Sequence, residues 1–291
     1  MKGAIKTARK KFNDRGIDSA ALDAEVLLSH VTGLARAALY REWDWLLRDD
    51  EAVQYNILID RRLSGEPVAY ITGHKEFMGL DFYIDRAVLI PRPETELLVE
   101  HALRLMPPLP ALIDVGTGSG AIAVSLAYYN KKALLYATDR SPAALAVARR
   151  NCIRHGVSDR VSLHQGDLLQ PLSGCPAAGG VDLIAANLPY IAESDLPGLP
   201  GGVRMFEPLL ALAGGEDGLE HYRRLVPQAA AFLKKDGRLL MEIGFDQGRR
   251  ALGLFAPHLW EAQVWPDLAG LDRLVVARYK GTGIYPLRCG K

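Results

Sequence analysis

Apolar positions recur at helical spacing through the first seventy residues. In SAALDAEVLLSHVTG (19–33) Leu22 and Val26 stand four apart, Asp18 or Ser19 offers an N-cap and Gly33 a stop. DDEAVQYNILIDRRLSG (49–65) repeats the pattern with Val53, Ile57 and Leu63 before Gly65. The spacing predicts a small helical domain over residues 1–74. From 75 to 91, KEFMGLDFYIDRAVLIP predicts a short hairpin with Gly79 near its turn, a linker between the helices and the rest of the chain. IPRPETELLVEHALRLM then predicts a helix opened by Pro93, with acids in its first turn, and MPPLP at 106–110 ends it.

After residue 110 the period shortens. ALIDVG, ALLYATD, VSLHQGD, VDLIAA and GRLLMEIG are strand-like, and helix-like stretches separate most of them. That alternation predicts a parallel sheet covered on both faces, an α/β architecture over residues 92–280. AQVWPDLAGLDRLVVARY adds two strand-like runs joined by DLAGLD without a helix, so one antiparallel strand is expected to close the sheet. KGTGIYPLRCGK ends the chain as a loose tail, residues 281–291 forming its terminal segment.

Composition narrows the class without naming it. A chain of 291 residues, 49% hydrophobic and 24% charged, has room for one large core and a smaller module, and neither disorder nor a fibre fits. Thirty-five basic residues balance thirty-four acidic ones, so no global field draws the molecule to a polyanion. Cys152, Cys175 and Cys289 are odd in number and lack metal-type spacing, and the opening MKGAIKTARKKF has no apolar signal core. A reducing cytoplasm is the expectation. Cys152 and His155 can share a helix face, but two ligands do not make a metal site, and none is expected. No segment approaches the ~20 apolar residues that span a bilayer.

The candidate chemistry gathers at strand ends. ALIDVGTGSGAIAVSLA places Gly116, Gly118 and Gly120 between a strand and a helix, where the backbone can turn sharply and approach a ligand closely. Gly116, Gly118 and Ala121 also satisfy the dinucleotide pattern G-x-G-x-x-G/A, with Asp139 about twenty residues on, so a nicotinamide enzyme stays open at this point. Asp139 ends ALLYATD and can accept both hydroxyls of a ribose; Asp167 ends VSLHQGD and can accept from an adenine amino group with Leu168 packed on the ring. Each acid alone can also be read as a helix N-cap, and Asp167 on its own is better read that way. Glycine loop, acid and acid at three strand ends describe a bound adenosine.

The fourth strand-like run ends in AANLPYIAE (185–193). Asn187 can accept one N–H of a substrate amino group with its side-chain oxygen, and the Leu188 carbonyl can accept the other. Pro189 confines Leu188 to extended conformations and so aims that carbonyl. Tyr190 offers a flat π-face to a planar amide or base.

These residues resemble the amino-directed methyltransferases that use S-adenosylmethionine and carry an Asn-Pro-Pro-Tyr box, here Asn187-Leu188-Pro189-Tyr190. Within them the chain resembles the peptide chain release factor glutamine N5-methyltransferases. Supporting stretches are DAEVLL (23–28), GEPVAYITG (65–73), LIPRPETE (89–96), DVGTGSGAIA (114–123), GGEDGLEHYRRL (214–225) and DLAGLDR (267–273). LIPRPETE is the most specific, because the sister family acting on a ribosomal-protein glutamine usually departs after IPR. Leu188 departs from the box: it keeps the carbonyl but adds an N–H and a freer φ.

The resemblance implies a class I S-adenosylmethionine-dependent methyltransferase: a Rossmann-like, mostly parallel seven-stranded sheet with one antiparallel strand, preceded by a small helical domain that recognises the substrate. It implies that Gly116, Thr117, Gly118, Ser119 and Gly120 contact the methionine end of S-adenosylmethionine, Asp139 its ribose, and Asp167 and Leu168 its adenine. Asn187, Leu188, Pro189 and Tyr190 would hold the glutamine of the Gly-Gly-Gln loop of a class I release factor, with S-adenosylhomocysteine as product and no metal, nucleic acid or membrane involved. A nucleic-acid adenine or guanine methyltransferase shares loop and box but would be expected to carry a basic, aromatic surface. A nucleotide-binding module without turnover also satisfies the cofactor motifs. Glu242, at the end of LLMEIG, is a tempting base that reads rather as structural.

Overall fold

The computed structural model describes residues 1–175, 177 and 180–281, so Cys289 and most of the terminal segment lie outside it. The chain divides into two compact units, Met1–His74 with Pro200–Phe206, and Lys75–Leu199 with Glu207–Lys291. The first contains α1 (Lys2–Asp14), α2 (Ala20–Thr32), α3 (Arg36–Arg41), α4 (Asp49–Leu63) and α5 (Val68–Thr72). Gly33 ends α2 in the left-handed conformation that glycine tolerates.

The buried faces of these helices differ from the expected ones. Leu22, Val53 and Ile57 are exposed, while Ala24, Leu27 and Leu28 of α2 pack with Tyr55, Leu58 and Ile59 of α4. Acids accompany them inward: Asp23 pairs with Arg62 (2.7 Å) and Glu25 with Arg36 (2.6 Å). Pairing of this kind makes burial of a carboxylate tolerable. Pro200–Phe206, within the span read as one catalytic domain, groups with these helices; Gly201–Phe206 forms α9, so named because three helices of the second unit precede it.

The boundary at Lys75 falls inside β1 (His74–Phe77), which forms a hairpin with β2 (Leu80–Tyr83), turned by Met78 and Gly79, both at positive φ. Next come α6 (Glu94–Leu105), β3 (Ala111–Val115), α7 (Ala121–Tyr129), β4 (Leu134–Asp139), α8 (Pro142–Arg154), β5 (Val161–Gln165) and β6 (Val181–Ala186). After α9 come α10 (Glu220–Phe232), β7 (Leu233–Glu242), α11 (Gly248–Leu252), β8 (Trp260–Pro266) and β9 (Asp272–Tyr279). Strands β3 to β9 form one seven-stranded sheet in the order β5-β4-β3-β6-β7-β9-β8. Leu112, Ile113, Leu183, Ile184, Leu239 and Leu240 alternate in side-chain direction yet all are buried, as strands covered on both faces require.

The antiparallel strand is β9, which pairs with both β7 and β8. It therefore sits one place in from the edge, and β8 closes the sheet where β9 was expected to. Asp267 fixes the connection by accepting from the backbone N–H groups of Ala269 (2.9 Å) and Leu271 (3.1 Å). From β3 the chain winds outward through β4 to β5, then returns to β6 on the other side of β3. The order reverses between β3 and β6, and the crevice at the C-terminal ends of such strands is where α/β folds bind ligands.

Candidate active site

A cavity of about 1120 Å³, counting its open mouth, lies at that reversal. Gly116 and Thr117 come directly after β3 and both donate their N–H to the Thr138 carbonyl (2.9 Å each), so the loop turns over the end of β4. A side chain at Gly116 would sit 2.8 Å from Leu188 Cδ2, which ties glycine loop and box together by contact. Asp114, fully buried, anchors the loop from beneath: its Oδ2 accepts from Thr117 Oγ1 (2.6 Å) and the Ala123 N–H (3.2 Å). Burial pushes the Asp114 carboxyl up to about 7, opposed by those two bonds. The sequence reading missed Asp114; its signal was an acid two residues before the first glycine.

Asp139 ends β4 facing the same cavity. Its Oδ2 accepts from the Gly118 N–H (2.9 Å) and its Oδ1 from the Ser141 N–H (2.9 Å). Burial raises its pKa, and those N–H groups work against the rise. The N-cap of α8 is Ser141, whose hydroxyl accepts from the Ala144 N–H (3.1 Å), so the cap role open to Asp139 in the sequence is taken. Asp167 and Leu168 also line the cavity. Asp167 forms an ion pair with Arg224, and Arg140 stands 4.0 Å away, partners that strand position alone did not reveal. Leu168 is held at positive φ, an uncommon state for a branched residue, and is buried there.

Asn187 comes directly after β6. Its Nδ2 donates to Thr95 Oγ1 (3.0 Å) in the first turn of α6, leaving Oδ1 as the end of the carboxamide for a ligand. The Leu188 N–H, the group by which this box departs from proline, donates to the phenol oxygen of fully buried Tyr222 (3.1 Å). That phenol in turn donates to the Glu242 carbonyl. The Leu188 side chain is buried as well. Ile191 exchanges backbone bonds with Leu212 (3.1 Å) and Gly214 (2.8 Å), and Gln247 Nε2 donates to the Tyr190 carbonyl (2.8 Å). The strand exit is thus held from several sides.

The expected residues Gly116, Thr117, Gly118, Ser119, Asp139, Asp167, Leu168, Asn187, Leu188 and Pro189 share the cavity wall. Gly120 and Tyr190 are not part of that wall. Gly120 caps α7 at positive φ, where a Cβ would come within 3.3 Å of Ala148 in α8, so it serves helix packing. Tyr190 packs against the buried cluster beside β6 and β7, with its phenol 3.5 Å from Glu242 Oε1. Burial pushes that phenol up to about 12, and the Glu242 carboxyl up to about 7. Arg92 and Thr95, both from LIPRPETE, line the cavity. Arg92 pairs with buried Glu207, which also accepts from the Ile90 N–H (3.3 Å) and so fixes this segment. Cys152 is buried, its thiol pushed up to about 11 by burial.

A mostly parallel seven-stranded sheet with one antiparallel strand, a glycine loop after its first strand and an asparagine box after its fourth defines a class I methyltransferase. Residues 110–244 match a family model described as a methyltransferase domain, and residues 3–73 one described as a PrmC N-terminal domain. A release factor glutamine methyltransferase of Moorella thermoacetica is 45% identical, the match spanning 95% of this chain and 98% of the relative. Those of Nitratidesulfovibrio vulgaris and Geobacter sulfurreducens are each 42% identical, spanning 96% and 91% of this chain and 95% and 92% of the relatives. The chain belongs to the release factor glutamine methyltransferase family.

Proposed function

We propose that this enzyme transfers the methyl group of S-adenosylmethionine to the side-chain nitrogen of the glutamine in the Gly-Gly-Gln loop of class I release factors. The observation that carries the reading is the juxtaposition, on one cavity wall, of the glycine loop and Asp139 with Asn187 and Leu188. The wall suits the cofactor chemically. Carboxylate oxygens at Asp139 face the cavity for a ribose, and Leu168 and Ala144 supply apolar surface for a purine. The order reversal of the sheet suits a nucleoside, and a nicotinamide cofactor would leave the asparagine box without a task.

When bound there, S-adenosylmethionine supplies an electrophilic methyl on a sulfonium centre. The chain's part is to prepare the acceptor. An amide nitrogen is a weak nucleophile because its lone pair is shared with the carbonyl. Asn187 Oδ1 and the Leu188 carbonyl accept its two hydrogens, hold it in place and favour an electron-richer nitrogen. Pro189 keeps the Leu188 carbonyl aimed. The nitrogen becomes acidic once it carries the methyl group, and its surplus proton passes to water, so no strong base is required. Tyr190, whose carbonyl is held by Gln247 and whose phenol lies 3.5 Å from Glu242 Oε1, anchors the end of the box.

Residues 1–74 serve as the substrate-recognition domain, 75–91 as a connecting hairpin, 92–280 as the catalytic domain, and 281–291 as a tail. Among the described residues no helix is long and apolar enough to cross a membrane. The enzyme works in the cytoplasm, where release factors meet ribosomes, without direct nucleic-acid contact and without a metal. The discriminating experiment offers labelled S-adenosylmethionine with release factor, ribosomal protein or duplex DNA as separate acceptors. Label should enter release factor alone; preferential labelling of either other acceptor would overturn the proposal.

A further inference from the structure

The cavity draws its wall from separate stretches of chain. Gly116 to Ser119 follow β3, while Ala87, Val88 and Leu89 follow the hairpin. Strands β1 and β2 are not part of that wall, and neither is Asn151 of α8. Yet Asn151, 0% exposed, is bonded to both stretches from behind.

Its Oδ1 accepts the Tyr83 N–H at 2.8 Å, and its Nδ2 donates to the carbonyls of Tyr83 (3.0 Å) and Ser119 (2.8 Å). One backbone donor and two backbone acceptors have fixed polarity, so the carboxamide fits one way round and spends both of its hydrogens. Ser119 is 3% exposed, which leaves its carbonyl little water as a replacement partner. Gly120 brings the loop within reach, since a Cβ there would come within 3.3 Å of Ala148. Ala148 and Asn151 are three apart and share a face of α8.

The other end of the clamp leads into the cavity wall. Asp85 Oδ2 accepts from the Tyr83 phenol (3.1 Å) and its Oδ1 from the Ala87 N–H (2.9 Å), so the chain is fixed from Tyr83 to the first residue of the wall. The rest of β2 is held to α8 as well. Arg154 pairs with Asp81, His155 Nε2 meets the Asp81 carbonyl (3.0 Å), and the Arg150 guanidinium lies over the Tyr83 ring at 3.4 Å. Those contacts hold hairpin to helix; Asn151 goes further and reaches the glycine loop.

We infer that Asn151 is a positioning residue for S-adenosylmethionine, which ties the end of the hairpin to the Ser119 carbonyl and so holds the glycine loop and the 87–92 segment in register without touching the cofactor. This rests on the reading of the cavity as the cofactor site. The hairpin, a linker by its sequence, thereby takes part in cofactor binding.

Asn151→Leu nearly keeps the volume and removes all three bonds. The KM for S-adenosylmethionine should rise about tenfold or more, the equivalent of one buried hydrogen bond to the loop. Single-turnover methylation at saturating cofactor should stay within about threefold of wild type, because Asn187 and Leu188 are held by other contacts. A merely structural loss does the reverse, lowering kcat through fewer active molecules at unchanged KM. A second measurement needs no variant: residue-resolved hydrogen exchange of the wild-type protein with and without S-adenosylmethionine. Any ligand slows exchange generally, so β8, at the far edge of the sheet, is the reference. The Tyr83 amide should slow by at least about threefold more than the amides of β8. An unchanged KM in folded Asn151→Leu, or a Tyr83 amide slowed no more than β8, would overturn the inference. If the wild-type protein failed to bind S-adenosylmethionine in calorimetry, the reading of the cavity would fall and this inference with it; wild-type binding beside an unchanged KM for Asn151→Leu would overturn the inference alone.

Discussion

Leu188→Pro restores the proline that the asparagine box resembles, and from sequence alone it looks harmless or helpful, since proline fixes φ and lowers the entropy of the unfolded chain by about 0.4–1 kcal/mol. The structure reverses that expectation. The Leu188 N–H donates to Tyr222 Oη at 3.1 Å in a fully buried setting, and proline deletes that donor. The lost bond costs about 1 kcal/mol. The leucine side chain, 5% exposed and packed beside Gly116, leaves part of its volume empty, a further ~1–2 kcal/mol. Net destabilisation of about 1–2 kcal/mol is expected, seen as a melting temperature lowered by a few degrees. Methyl transfer should slow as well, because the Leu188 carbonyl loses the tether that places it. Tyr222→Phe supplies the internal control: it should cost about 1 kcal/mol more in the leucine protein than in the proline protein, the difference being the Leu188–Tyr222 bond. Thermal melts and single-turnover rates of the four proteins provide the assay. A Leu188→Pro protein as stable and as fast as wild type, or equal costs of Tyr222→Phe in both backgrounds, would refute the reasoning.

The site sets three further outcomes. Asp139→Ala should weaken S-adenosylmethionine binding by about 1.5–3 kcal/mol, roughly 10- to 150-fold by calorimetry, and lower the melting temperature through its lost bonds to the Gly118 and Ser141 N–H groups; unchanged affinity would remove it from the site. Asn187→Ala should lower kcat by about 10²- to 10³-fold with cofactor affinity little changed, and Asn187→Asp should fall between it and wild type because its charge also stabilises the sulfonium ground state; wild-type kcat for Asn187→Ala would contradict both. Glu242 is raised by burial from 4.5 to about 7, so the native state holds a proton that the unfolded state has released. Its contribution to stability is full below 4.5 and is lost as pH rises through 7. Glu242→Gln, which cannot ionise, should therefore escape a loss of up to about 3 kcal/mol between those limits. Parallel urea-unfolding profiles for the two proteins from about pH 5 to 8 would contradict the burial argument.

Much of the architecture was legible because it depends on local pattern. Strand-like runs separated by helices give the parallel sheet, and Gly116 to Gly120, Asp139 and Asn187 announce themselves by falling at strand ends. The faces of α2 and α4 were misread for a physical reason. Leu22 and Val53 lie on stripes with helical spacing, but so do Leu27, Leu28, Tyr55 and Ile59, and only tertiary packing selects which stripe is buried. Burial of Asp23 and Glu25 misleads in the same way, since polarity points outward unless the arginine partner is known. The position of β9 inside the sheet edge depends on pairing partners that a hairpin signal cannot rank. Thr95 and Tyr222 were out of reach because each meets the box only through a contact spanning 92 and 34 residues of chain respectively. Their motifs carried the resemblance without disclosing the chemistry.

The central claim, that Asn187 and Leu188 present a glutamine side-chain nitrogen for methylation, is tested most directly by locating the methyl group. Purified class I release factor is incubated with the enzyme and isotopically labelled S-adenosylmethionine, then digested and sequenced by tandem mass spectrometry. The account predicts a single labelled methyl on the side-chain nitrogen of the Gly-Gly-Gln glutamine, absent when Asn187→Ala enzyme is used for the same time. A methyl on any other residue, or undiminished glutamine methylation by Asn187→Ala, would contradict it.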